Sequence, residues 1–201
     1  MPKVSDEHRA ARRAHIMEAA MRRVAIDGYH KMTMADVIAE SELSAGAVYG
    51  YFRSKQDLIT AIATTVSALA RDVVKTTSQL EPMPPAPEVL RLLTQDFISR
   101  IEHSPLDLTR VVVNTWAEAV RDEHVRGILH TEFTGVRANF ADLLTRVRDA
   151  GHLHPDADIA LATQTMFGLL PGFILQRLVL GDVDPDSYSA GLAALTTPPP
   201  G

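Results

Sequence analysis

Apolar residues recur along this chain at the spacing of helices rather than strands. Ile16, Ala19, Ala20 and Val24 share one stripe, and Gly28 follows as a helix stop. Thr33 with Asp36 three residues on has the form of a capping box and predicts a short helix over 34–40. Ser44 can cap another helix over 45–51. From Ser54 a longer helix carries Leu58, Ile62, Val66, Leu69 and Val73 on one face. It must end before Glu81-Pro82-Met83-Pro84-Pro85-Ala86-Pro87, where four prolines in seven residues make a stiff surface connection. Helical patterns resume over 88–102 and again from Ser104-Pro105, with Ser104 as cap and Asp107 behind it. Three more follow, over 123–149 up to Gly151, over 156–180 up to Gly181, and from Asp184-Pro185 to Leu195. The segment 196–201 reads as a disordered Pro-rich tail. Period-2 alternation is nearly absent, so the predicted fold is all-α, with about nine helices and no internal repeat.

The stretch 33–58 carries the most information. It predicts two helices of about two turns each, joined by a few residues around Glu42. Neither is long enough to persist alone, so both must be braced by the helices before and after. Such a short, rigid pair can project its second helix into a major groove, although a plain helical hairpin has the same periodicity. The side chains separate the two. Val48 and Phe52, four apart, can face a core with Leu43 and Ile38. Tyr49 and Tyr51 then point elsewhere, beside Ala45, Gly46, Ala47 and Gly50. Glycine in a surface helix costs about 1 kcal/mol relative to alanine. Its presence here suits close approach of the backbone to another body. Two exposed tyrosines would supply hydroxyl donors to phosphates.

These residues resemble the N-terminal DNA-binding domain of the tetracycline-repressor (TetR) family. The match is ungapped from Gly28-Tyr29 through Thr33 to Val48-Tyr49-Gly50-Tyr51-Phe52-Arg53-Ser54-Lys55 and Asp57-Leu58. It covers about residues 10–60. The resemblance implies a helix-turn-helix domain over 1–55 and a helical ligand-binding and dimerisation domain over 56–201. It implies a recognition helix from Ser44 to Tyr51, including Ala45, Gly46, Ala47 and Gly50, with phosphate contacts from Thr33, Tyr49, Tyr51 and Lys55. Two positions depart from the family's pattern. Glu42 stands where the turn usually has glycine, and Ala45 stands where a polar or basic side chain is common. A methyl group at Ala45 can at best touch a thymine methyl, so reading should lean on Tyr49, the arm (Lys3, Arg9, Arg12) and DNA shape.

Charge and composition change this picture little. The net charge of −5 disfavours a nucleic-acid partner only until it is divided along the chain. Residues 1–60 hold nine Lys/Arg against eight Asp/Glu, and 61–201 hold eleven against seventeen. A mildly basic head on an acidic body is compatible with DNA binding, and equally with a solvated helix face. The absence of cysteine excludes disulfides, thiolate zinc and a cysteine nucleophile, and it fits a reducing, cytoplasmic compartment. No secretory apolar region fits among the charges of the first 30 residues.

Residues 159–176 are 18 consecutive uncharged positions, which raises a membrane span. Thr163, Gln164, Thr165, Pro171 and Gln176 favour a buried helix of a helical dimer instead, and no membrane partner is expected. Gly168 and Gly172 are spaced for close helix approach. The resemblance implies a four-helix dimer interface from 156–180 and 185–195, with Gly168, Gly172 and Leu175 in it. It also implies an effector pocket, for which Phe97, Asn114, Trp116, Phe133, Gln164 and Phe167 are the candidate lining.

Asp182, Asp184 and Asp186 have calcium-loop spacing, but Ser187 and Ala193 occupy the positions that need glycine and glutamate, so Asp184 reads as a helix cap. His152 and His154 read as surface residues at a helix end, and His124 and His130 are badly spaced for one face. No metal, cofactor or catalytic residue is assigned, since no nucleophile elbow, phosphate loop or paired-carboxylate motif is present. The expected function is a homodimeric, sequence-specific repressor on a pseudo-palindromic double-stranded operator, released by a small lipophilic effector. The competing readings are a helical protein-interaction module and an unrecognised enzyme.

Overall fold

The structure is a computed structural model and describes residues 6–196. Lys3 of the arm and the tail beyond Thr196 lie outside the described residues. Within them are nine α-helices and no strand. They are α1 (Asp6–Lys31), α2 (Met34–Ser41), α3 (Ala45–Tyr49), α4 (Lys55–Thr77), α5 (Ala86–Glu102), α6 (Leu108–Arg121), α7 (Glu123–Asp149), α8 (Ile159–Val179) and α9 (Pro185–Thr196).

The chain forms two compact units. The first runs through Ser67 and also takes Ser104–Thr131, so it holds α1 to α3, α6 and parts of α4 and α7. The second takes Ala68–His103 and everything from Glu132 onward. The compact units thus divide α4 after Ser67, and α6 joins the first unit from a distant stretch of sequence.

In the first unit, α1 is helical up to Gly28, whose φ of 73° breaks it as its stop pattern predicts. Ile16, Ala19, Ala20 and Val24 are fully buried, with Met32, Val37, Val48 and Leu58. α6 packs along α1. The Asn114 amide donates to the Val24 carbonyl at 3.0 Å. Tyr29 Oη lies 2.9 Å from Thr115 Oγ1, inside the core. Thr115 gives its own proton to the Val111 carbonyl, so the Tyr29 hydroxyl is the donor of that pair. Burial pushes the Tyr29 hydroxyl pKa well above the ordinary tyrosine value.

In the second unit, α5 packs on α9 and α8. Phe167 of α8 meets Phe133 and Phe140 of α7 edge-on, at 5.2 and 6.0 Å between ring centroids. Ser189 of α9 donates to the Pro87 carbonyl at 2.7 Å. Arg71 pairs with Glu132 and joins α4 to α7.

Several helix starts differ from the sequence reading. α6 opens at Leu108 rather than at Ser104-Pro105. Its cap is Asp107, which accepts from the Arg110 N–H, while Ser104 accepts from the Leu106 N–H in the preceding turn. α8 opens at Ile159 because Asp158, not Asp156, accepts from the Leu161 N–H. Asp184 does cap α9, accepting from the Ser187 N–H at 2.8 Å. That bond holds the Asp184 carboxyl below its ordinary pKa.

Candidate DNA interface

Local sequence builds the two short helices as stops and starts. The Thr33 hydroxyl accepts from the Asp36 N–H at 3.2 Å, and Asp36 accepts from the Thr33 N–H at 2.8 Å. These two bonds are the reciprocal capping box of α2. The Thr33 hydroxyl proton also goes to Asp36, at 2.6 Å. The Asp36 carboxyl is held below its ordinary value by these bonds. The cap is therefore intact at neutral pH and weakens as pH falls through that lowered value. One consequence concerns DNA. With its proton on Asp36, Thr33 has no hydroxyl donor left for a phosphate. A phosphate at this point would meet the N–H groups of Met34 and Ala35, which lack an intrahelical acceptor, since that of Asp36 is taken by Thr33.

α2 ends on Glu42, whose φ of 54° and ψ of 25° place it in the left-handed region. Among the described residues it is the one non-glycine with positive φ. The turn is therefore the left-handed kind that favours glycine, and the glutamate side chain is exposed. Glu42→Gly is expected to raise stability by about 0.5–1 kcal/mol, read as a higher urea midpoint with unchanged slope. A lower midpoint would mean that Glu42 makes a contact outweighing its backbone strain.

α3 is capped by Ser44, which accepts from the Ala47 N–H at 3.3 Å. It is shorter than its 45–51 pattern. Gly50 is the C-cap, and the Tyr51 and Phe52 N–H groups both fold back to the Val48 carbonyl at 3.0 Å. Val48 and Phe52 are buried as their spacing predicts, while Leu43 and Ile38 are half-buried. The Arg13 guanidinium sits 5.0 Å above the Phe52 ring and fixes α1 against this turn, a contact with no signal in the sequence. Ala45, Gly46 and Gly50 are exposed, Tyr49 is 46% exposed, and Ala47 and Tyr51 are half-buried. The face away from the core is thus two tyrosines around small residues.

The basic residues around α3 are partly engaged. Arg22 pairs with Glu40 at 3.0 Å, and Arg23 pairs with Asp27. Lys55 Nζ donates to the His30 carbonyl at 3.2 Å, so it anchors the end of α1 as well as standing near α3 in sequence. His15 donates to the Ser41 carbonyl at 2.9 Å and ties α1 to the end of α2. Arg9 and Arg12 lie on the first turns of α1, Arg9 exposed and Arg12 half-buried.

The other candidate residues are dispersed. Phe97 is buried in α5, and Phe133 and Phe167 touch each other in the second unit. Gln164 is exposed on α8, whereas its neighbour Thr163 is buried. Asn114 and Trp116 belong to the first unit, where the Asn114 amide serves the α1–α6 contact. Gly168 is exposed, and a Cβ there would meet nothing within 4 Å. Gly172 instead makes room for its own chain, since a Cβ would come 3.1 Å from Tyr188 Oη. Leu175 is exposed. α8 is long and apolar enough to cross a membrane, with mean hydropathy 1.4, yet only 22% of that stretch is buried.

Two short helices in a left-handed turn, braced by a long first helix and presenting tyrosines, define a helix-turn-helix DNA-binding protein. Residues 16–62 match the TetR family of bacterial regulatory proteins, and 85–196 match the C-terminal domain of BetI-type transcriptional repressors. The chain belongs to the TetR family of transcriptional regulators and is not an enzyme. It is 26% identical over 186 residues to the HTH-type transcriptional regulator YfiR of Bacillus subtilis, covering 92% of this chain and 89% of YfiR. Its fold is similar to that of Salmonella enterica GusR, with a TM-score of 0.75, 19% identity and 96% coverage of both chains. It is also similar to Bacillus subtilis FadR solved with stearoyl-CoA, with a TM-score of 0.71, 18% identity, and coverage of 90% and 96%.

Proposed function

We propose that this regulator is a cytoplasmic homodimer that represses transcription from a pseudo-palindromic operator and leaves it when a small lipophilic molecule binds. The observation that carries the DNA-reading part is the orientation of α3. Burial of Val48 and Phe52 turns Ala45, Gly46 and Tyr49 to the surface, where base edges and phosphates can reach them. The apolar surface of α8 supports the dimer. Leu161, Leu175, Leu178 and Leu180 are exposed, and Val179 is 74% exposed. Such a patch on one chain calls for a second surface to cover it, and a second copy supplies a self-complementary one. The acyl-CoA of the FadR complex supports an apolar effector for a domain that buries Phe97 and packs the half-buried Phe133 and Phe167 against each other. The effector would act through α4, which begins in one unit and ends in the other, and would change the spacing of the two recognition helices. By linkage, operator DNA weakens effector binding by the same factor.

Fluorescence anisotropy with DNA from upstream of the protein's own gene tests this reading. Tyr49→Ala removes an exposed side chain and should leave thermal stability unchanged. Affinity should fall roughly tenfold or more, because a charged hydrogen bond is lost in each of two copies. Unchanged affinity would remove Tyr49 from the interface, and failure of the wild-type protein to bind DNA would overturn the reading.

A further inference from the structure

Helix α3 contains one glycine that its own chain does not explain. Gly46 is exposed, and its backbone is helical without a positive φ. A Cβ there would meet nothing within 4 Å. Alanine would fit and would form the better helix. Gly50, just past the helix, differs, because a Cβ there would lie 3.3 Å from the Ala47 and Gly46 carbonyl oxygens. Ala45 stands beside Gly46, and Tyr49 follows Ala45 by one turn on the same face. All three are exposed. The face is thus a methyl group, a gap and an aromatic ring. Its polar inventory is short. From Leu43 to Phe52 no amide, guanidinium, ammonium or carboxylate side chain occurs. The hydroxyls are those of Ser44, Tyr49 and Tyr51, and Ser44 caps the helix by accepting from the Ala47 N–H. No residue of this stretch can pair bidentately with guanine or adenine. What a major groove offers to such a face is the thymine 5-methyl group, the apolar feature of its base edges.

We infer that Gly46 is a specificity-determining residue of the recognition helix, and that its gap seats the 5-methyl group of a thymine between the Ala45 methyl and the Tyr49 ring. This rests on the proposal that α3 enters the major groove, and it adds the base feature that is read. Each operator half-site then carries a thymine at a fixed position, chosen for its methyl group rather than for its hydrogen-bonding edge. A methyl group on carbon 5 of cytosine occupies the same place in the groove and is accepted there.

The test uses the full-length protein and a duplex that it selects from a random library. Each thymine of that duplex is replaced in turn by deoxyuridine, in both half-sites together, which removes the methyl group and keeps the pairing edge. At one position the wild type should lose about tenfold or more in affinity, roughly fourfold for each methyl no longer buried. Cytosine at that position should bind weakly, and 5-methylcytosine should recover a similar factor. Gly46→Ala supplies the methyl group from the protein side instead. It should melt no lower than the wild type, since the gap is open and alanine favours the helix. Its preference should vanish or reverse, with the uracil duplex bound as well as the thymine duplex or better. A wild type that tolerates uracil at every position would overturn the inference while leaving DNA binding intact. So would a Gly46→Ala variant that keeps the thymine preference, or one that binds neither duplex, because the gap would then receive something other than a methyl group. A wild type that selects no duplex would overturn the DNA-reading proposal itself, and this inference with it.

Discussion

Gly168→Arg should produce a folded monomer that no longer holds operator DNA. The isolated chain has room for the change, because Gly168 is exposed and a Cβ there meets nothing within 4 Å. Helix propensity even favours it, by up to about 1 kcal/mol, since arginine is a far better helix former than glycine. The proposed dimer has no such room. A guanidinium would be pressed between apolar surfaces twice over, once from each copy, at several kcal/mol. The loss passes to DNA affinity, because a single head buries one short helix in one groove. Linking two heads typically gains 100-fold or more through effective concentration, and that gain disappears with the dimer. Sedimentation should show a monomer, far-UV circular dichroism should show unchanged helix, and operator affinity should fall by about 100-fold. A variant that stayed dimeric and bound normally would place the interface elsewhere than α8.

Operator affinity should also fall by about 100-fold or more between 50 and 200 mM salt. Each phosphate neutralised by a cation releases counterions, and the slope of log affinity against log salt counts those cations. The structure narrows which ones contribute. Arg22 and Arg23 are paired with Glu40 and Asp27, which leaves Lys31, Arg53 and Lys55 near the two short helices in sequence, with Arg9 and Arg12 on α1, as candidate contributors. Lys55→Ala should flatten the slope by about 1–2 units over two copies. It should also lower the melting temperature slightly, because Lys55 holds the His30 carbonyl. Tyr51→Phe should weaken binding without changing the slope. Salt-independent binding would argue that phosphates are not the partners of this surface.

The helices were legible from periodicity because most carry one buried stripe. Val48 and Phe52 on one side and Tyr49 on the other follow directly from their spacing. The starts of α6 and α8 were not legible, since Ser104, Asp107, Asp156 and Asp158 are all competent caps. Only the path of the chain decides which side chain meets an N–H three residues on. Glu42 shows the converse, for the sequence marked the position and the backbone supplied the sign of φ. Thr163 and Gln164 are adjacent polar residues in one apolar run, and nothing local says which faces inward. Arg13 over Phe52 and Asn114 on Val24 join residues far apart in sequence, so no window of residues could reveal them.

The Tyr29–Thr115 and Asn114–Val24 bonds span 86 and 90 residues. They set the order in which this protein can be made. A ribosome finishes the whole helix-turn-helix long before it releases α6. Until then the apolar side of α1 that α6 covers has no partner, and the nascent DNA-reading head must wait with that surface open. A fragment cut after Ser67 would be left in that waiting state. The head is therefore not a module that can be transplanted as an N-terminal piece. A fusion that borrows its specificity has to carry the chain through α6.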